Sequence, residues 1–145
     1  MIKSLLLVDD EELFHLVFED ACNILNIALS IESVNSSNEA EVMFRGWFEE
    51  TNNRLRPECV FVDLNMKGSS FDGIELIRKI NEEYGNNVVI GIISSSNDSE
   101  EIERAKEVGA MFWIVKTHDL EPRLESFKTD YDDYIDGNKT FTVYD

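Results

Sequence analysis

Five polar residues stand where apolar runs stop. Asp9 and Asp10 follow Ile2–Val8, Asp63 follows Val60-Phe61-Val62, Ser94 follows Val88–Ile93 and Lys116 follows Met111–Val115. Short apolar runs of this kind read as strands buried on both faces. In an open parallel sheet the carboxyl ends of the strands share one edge, and ligands bind there. Three carboxylates, a hydroxyl and an ammonium would then converge on one crevice. Each has an ordinary alternative. Asp9 or Asp10 would serve as a helix cap, Asp63 as a turn residue, Ser94 as the start of a polar loop, and Lys116 as a solvated side chain. Joint placement favours the crevice, because loop chemistry alone does not put acids, a hydroxyl and a lysine on successive strand ends.

Such a crevice asks for a cation. Two carboxylates ~5 Å apart repel by roughly 3 kcal/mol at an effective dielectric of 20. Asp9, Asp10 and Asp63 make three such pairs, and Lys116 offsets only part of the repulsion. A hard divalent ion suits oxygen ligands, and Mg²⁺ tolerates few protein ligands completed by water. A raised carboxyl pKa is the alternative without metal. A carboxylate is also a competent nucleophile toward phosphorus, giving an acyl phosphate. The metal and Lys116 would neutralise charge on the equatorial oxygens. Asp63, on a central strand, is the better nucleophile, and Asp10, further along its loop, the better direct ligand.

The elements that must hold these groups alternate along the chain. Ala28–Val34 adds a weaker strand. Between the strands, apolar residues recur at helical spacing: Leu13 to Leu25 after an acidic first turn, Ala40 to Trp47 after the capping run Asn35–Asn38, Ile74 to Ile80, and Ile102 to Val108. A last stripe, Leu120 to Ile135, has Pro122 in its first turn and Gly137 just past its end. Five strand-then-helix repeats predict an α/β fold, an open doubly wound parallel sheet with helices on both faces. Residues 1–136 read as one domain and 137–145 as a short C-terminal tail, although Phe141 and Val143 alternate with polar residues and an extra strand is the other reading.

Composition narrows the function classes. The 145 residues are 43% hydrophobic, enough for a core, and carry 30 acidic against 13 basic side chains, a net charge of −17. Such a chain repels phosphate backbones and anionic lipid, so neither nucleic acid nor membrane is an expected partner. No apolar stretch approaches a membrane span, and nothing at the start reads as a signal peptide. Cys22 and Cys59 form no CxxC pattern, so reduced thiols in a cytoplasm are expected. His15 and His118 lack zinc-ligand spacing.

The segments Leu6-Leu7-Val8-Asp9-Asp10-Glu11, Val60 to Met66 around Asp63, Asp72-Gly73-Ile74-Glu75-Leu76, Ile92-Ile93-Ser94-Ser95 and Gly109 to Lys116 together resemble the receiver domain of two-component response regulators. The resemblance is to the stand-alone type typified by the chemotaxis response regulator, and covers roughly Ile2 to Ile135. It implies a flavodoxin-like five-stranded sheet of order 2-1-3-4-5 flanked by five helices. It further implies that Asp63 accepts a phosphoryl group from a sensor histidine kinase or phosphotransfer protein. Mg²⁺ would be held by Asp10, Asp63 and the backbone carbonyl of Asn65, with Asp9 acting through water. Lys116 would contact the phosphoryl group, and Ser94 would swing to it. Trp113 takes the place of the aromatic switch residue, and Asn65 and Ser96 flank the site where the dephosphorylation rate is tuned. A downstream protein would read the face made by the fourth helix, fifth strand and fifth helix. Such a protein catalyses its own phosphorylation and dephosphorylation and is not a dedicated enzyme.

Several residues depart from the family pattern. Lys67 stands where proline is usual, Lys67–Phe71 lengthens the loop beside Asp63, and the gap between Asp10 and Asp63 is long, which reads as an extended second helix and loop over Trp47–Pro57. Thr117 follows Lys116 where a cis proline is usual. These departures keep open a degenerate receiver that binds partners without phosphorylation. A Mg²⁺-dependent aspartyl-phosphate phosphohydrolase is a further alternative, opposed by Asp63-Leu64-Asn65, which lacks a second acid.

Overall fold

The computed structural model describes residues 2–49, 56–85, 88–117 and 119–145. The elements follow the alternation read above: β1 (Ile2–Val8), α1 (Glu12–Leu25), β2 (Ala28–Val34), α2 (Ser37–Glu49), β3 (Cys59–Asp63), α3 (Gly73–Tyr84), β4 (Val89–Ser94), α4 (Ser99–Glu107), β5 (Phe112–Val115), α5 (Leu120–Ile135) and β6 (Thr142–Tyr144). The expectation for Trp47–Pro57 falls largely outside the described residues, and His118 lies wholly outside them. Cys22 and Cys59 are free and buried. Among the described residues no helix is long and apolar enough to cross a membrane.

The strands form one parallel sheet of order β2-β1-β3-β4-β5-β6. This corrects the expected five-stranded sheet: Thr142–Tyr144, placed in the tail, pairs with Phe112–Ile114 as a sixth strand. The physical reason a sequence reading ranks this strand behind a tail is its connection. The steps β3 to β4 and β4 to β5 cross on the face that carries α3 and α4. The step from β5 to β6 continues in the same direction, but α5 lies on the opposite face with α1. That crossover therefore has the opposite hand to its neighbours, and parallel crossovers strongly favour one hand.

Alternate residues along each strand feed two cores. Leu5, Leu7, Phe61, Ile93, Phe112 and Ile114 face α1 and α5. Leu6, Val8, Val60, Val62, Ile90, Ile92 and Trp113 face α2, α3 and α4. The central strands β3, β4 and β5 are buried along their whole length, as their unbroken apolar runs require. Gly91 shows how close the first core is packed. A Cβ there would lie 2.5 Å from the ring of Phe112, so only glycine fits beneath that ring.

Candidate functional site

Strand register brings the acids together. Val8 pairs with Val62, so the residues that follow, Asp9 and Asp63, leave adjacent strands in the same row, and neighbouring strands lie about 4.8 Å apart. Asp10 is the next residue along the β1–α1 loop. One carboxylate oxygen from each of Asp9, Asp10 and Asp63 lies within 4.8 Å of the other two. Asp9 is fully buried and Asp63 is 6% exposed, whereas Asp10 is half-buried at the mouth.

Lys116 enters from the end of β5. Its Nζ lies 2.7 Å from Asp9 Oδ2 and 3.4 Å from Asp63 Oδ1. The peptide before Thr117 is trans, and from it the lysine reaches both acids. Its ammonium also sits 4.2 Å from the ring centre of Phe14 on α1, a cation–π contact. Burial by itself would lower the lysine's pKa. The bond it donates to Asp9 and the charges of Asp63, Asp9 and Glu11 outweigh it, and the pKa is raised, so the group stays cationic.

Asp63 is the perturbed acid. Burial pushes its pKa up to about 7, and the charges of Asp9 and Asp10 add to that, while Lys116 opposes it. Both possibilities left open by the sequence are thus present together: a carboxyl group raised toward neutrality, and a cluster of hard oxygen donors. The donor set fits a divalent cation. Asp9 has both oxygens engaged, Oδ1 by the Glu11 amide at 2.8 Å and Oδ2 by Lys116. Among the described residues nothing donates a hydrogen bond to the Asn65 carbonyl, and Asn65 lines the cleft beside Asp10.

The loop after β3 explains one departure from the family pattern. The Lys67 amide donates to Asp10 Oδ2 at 2.9 Å, a bond that proline could not make. The loop is tied to the start of α2: the Ser37 amide donates to Ser69 Oγ at 3.1 Å, and Asn38 exchanges bonds of 2.9 and 3.0 Å with Ser70. With Asp10, Asn65, Met66, Phe71 and Asp72 it lines an open cleft of about 470 Å³. Asp72 caps α3 by accepting from the Glu75 amide at 2.8 Å. Gly73 then lets α3 start against β3: its amide donates to the Leu64 carbonyl, and a Cβ would meet the Asp63 carbonyl at 2.2 Å.

Ser94 and Trp113 stand on the far side of Asp63. Ser94, 3% exposed, accepts from the Ser96 amide through Oγ at 3.2 Å. Trp113 is fully buried, and its indole Nε1 donates to the Ser96 carbonyl at 3.0 Å. Ser96 Oγ bonds Glu101 of α4 at 3.0 Å, so this residue is tied into the loop on three sides.

The structure thus gathers Asp9, Asp10, Asp63 and Lys116 into one cluster, with Asn65 at its cleft and Ser94, Ser96 and Trp113 as a linked set beside it. Sequence reasoning missed three contributors. The His15 ring donates to the Asp9 carbonyl. Phe14 lies against Lys116, and Lys67 offers its backbone. Helical spacing from Asp10 could have placed Phe14 and His15 near the site; the Lys67 amide leaves no signature in side-chain chemistry.

Known proteins show the same architecture. The chain is similar to a Mn²⁺-bound form of the response regulator Rcp1, at 17% identity over 89% of this chain and 94% of that one, TM-score 0.74. It is similar to the chemotaxis response regulator CheY4 of Vibrio cholerae, at 18% identity over 89% and 98%, TM-score 0.71. It is also similar to the phosphorylated cyanobacterial phytochrome response regulator RcpA, at 20% identity over 97% and 98%, TM-score 0.72. At these identities the likeness establishes the fold. A comparison with curated proteins finds no match. The family model described as the response regulator receiver domain matches residues 5–127, a span that begins inside β1 and holds every residue of the carboxylate cluster, so the chain belongs to the receiver domain family of response regulators.

Proposed function

We propose that this protein is a phosphoryl-accepting response regulator in which Asp63 is the acceptor. The observation that carries the reading is the setting of its carboxylate: buried, shared with Lys116, and in the same row as Asp9 with Asp10 alongside. A carboxylate oxygen of Asp63 attacks phosphorus as the bond to the nitrogen of the donor's phosphohistidine breaks; that ring, protonated on its other nitrogen, takes the electron pair and leaves as a neutral imidazole, with an acyl phosphate on Asp63. Asp63 must be ionised to attack, and its raised pKa makes the neighbouring positive charge a requirement. Lys116 supplies part of that charge and remains to pair with the phosphoryl oxygens. Ser94 Oγ now accepts from the Ser96 amide, so its own hydrogen is available to a phosphoryl oxygen.

Asp10, Asp63 and the Asn65 carbonyl would hold Mg²⁺, with Asp9 orienting water between its bonds to Glu11 and Lys116. The ion would supply charge neutralisation at the equatorial oxygens. The donor protein has a surface next to the site. Leu13, Leu16 and Val17 of α1 are 74%, 65% and 49% exposed, an apolar stripe on the helix that starts at the acidic cluster. We assign that stripe to the kinase or phosphotransfer partner. Output passes by protein contact or by onward transfer of the phosphoryl group. The net charge of −17 supports a protein partner over nucleic acid, and a cytoplasmic setting suits the two free thiols.

The test is direct. Incubation with a small acyl phosphate donor and Mg²⁺, followed by intact-mass measurement, should add one phosphoryl group to the wild type and none to Asp63→Asn. An unmodified wild type under conditions that label other receivers would overturn the reading in favour of a phosphorylation-independent binding module.

A further inference from the structure

The edge of β5 is covered by residues 138–145, held by a ladder of three residue pairs and by side chains. β6 is only three residues long. Its fastening is Tyr144, whose hydroxyl shares a 2.7 Å hydrogen bond with the Tyr134 hydroxyl and donates to Asp130 Oδ2 at 2.7 Å. Phe141 packs on the other face, 6.0 Å from Lys106 Nζ of α4. The segment therefore bridges α4 and α5 across the edge of β5. Val143, 36% exposed, pairs with Trp113. Ile92 of β4 pairs with Trp113 from the other side, so Trp113 has a strand on each flank.

We propose that residues 138–145 are a detachable ligand of the β5 edge. Docked, they keep Trp113 buried and close the surface between α4 and α5. Undocked, they open that edge to an extended segment of a partner protein, which pairs with β5 and places an aromatic side chain where Tyr144 was. A bare β5 edge offers unpaired backbone groups to such a strand, and alternate side chains would find the two sites that Phe141 and Tyr144 now fill. The cover is suited to release. It is short, its crossover has the disfavoured hand, and Gly137, at φ +77°, turns the chain between α5 and the segment.

The trigger rests on the phosphoryl-acceptor reading of Asp63. Ser94 Oγ is bonded to the Ser96 amide, and the Ser96 carbonyl to Trp113 Nε1. Recruitment of Ser94 to a phosphoryl oxygen pulls on the first bond and so on the second. Trp113 then loses the contact that fixes it beside Val143. By linkage, loosening the strand must favour phosphorylation to the degree that phosphorylation loosens the strand.

Amide exchange on the full chain tests this, with intact mass read on the same samples. After labelling with the acyl phosphate donor and Mg²⁺, exchange at residues 142–144 should rise about tenfold, while β1 and β3 hold steady. Tyr144→Phe, which keeps the ring and removes the hydroxyl, should show part of that rise without donor. It should also label several-fold more completely at limiting donor. A phosphoryl adduct with unchanged exchange in β6 would overturn this proposal and leave the acceptor reading standing. Absence of any adduct would overturn both. Normal labelling by Tyr144→Phe with loosened β6 would break the coupling and remove Asp63 as the trigger.

Discussion

The strands contribute different side chains to the two faces of the sheet. Toward α1 and α5, the rings of Phe18, Phe61, Phe112, Phe127 and Tyr134 touch one another in tilted and edge-on pairs. Their centroids are 4.7 to 6.3 Å apart. Toward α3 and α4 the strands offer Leu, Val and Ile, with Trp113 as their one aromatic. Ring pairs have directional geometry and a large buried area, so the aromatic face resists rearrangement. Aliphatic side chains repack more readily when volume is kept. The loops that carry Ser94, Ser96 and Lys67 belong to the adaptable side. The contrast lies in where the rings are anchored: on the first face the strands themselves carry some of them, whereas the second pairs rings from the helices, Phe44 with Trp47 and Tyr84.

Removing a ring is the harshest way to break that contrast. Phe127 touches Phe61, Phe112, Tyr131, Tyr134 and Tyr144. Phe127→Ala should destabilise the fold by about 3–5 kcal/mol in urea unfolding. A loss under 2 kcal/mol would mean that the aromatic face collapses around the cavity and is no stiffer than the other.

The second effect is smaller and of opposite sign. The Asp63 pKa is raised to about 7, above its unfolded value near 4. Its charged form therefore costs stability: the cost is absent below the unfolded pKa, grows as pH rises and is complete above the folded pKa. In the presence of a chelator, Asp63→Asn should gain roughly 2 kcal/mol at pH 8 and nothing at pH 4. Equal stability of the two proteins at pH 8 would show that the acid is not strained. The smallest effect sharpens the comparison. Ile90→Val, in the aliphatic core, should cost about 1 kcal/mol. A loss as large as that of Phe127→Ala would erase the difference between the faces.

Much of this was legible in the sequence because apolar runs and helical stripes are local. Ala28–Val34 and Leu120–Ile135 coincide with β2 and α5, and the strand ends carry the acids, the hydroxyl and the lysine as read. What escaped depends on partners distant in sequence or on rules that the chain breaks. β6 shows only the short alternation of Phe141 and Val143, which ranks behind a tail, and it arrives by a crossover of the unexpected hand. The Lys67 amide meets Asp10 across 57 positions, and a backbone donor has no residue type to announce it. The extended loop was visible as a departure; that it supplies a donor to a candidate metal ligand emerged only from the fold.

Because β6 runs parallel to β5, it carries the chain back to the sheet edge where the carboxylates lie. The Asp145 carbonyl accepts from Arg123, in the first turns of α5, at 3.1 Å. β1, by contrast, begins at the opposite edge. A fluorophore or affinity tag joined behind Asp145 would therefore stand near the acidic crevice and crowd an incoming donor. The same tag placed ahead of Ile2 would hang from the far side of the molecule, and that is the end by which the protein should be immobilised when phosphoryl transfer is to be watched.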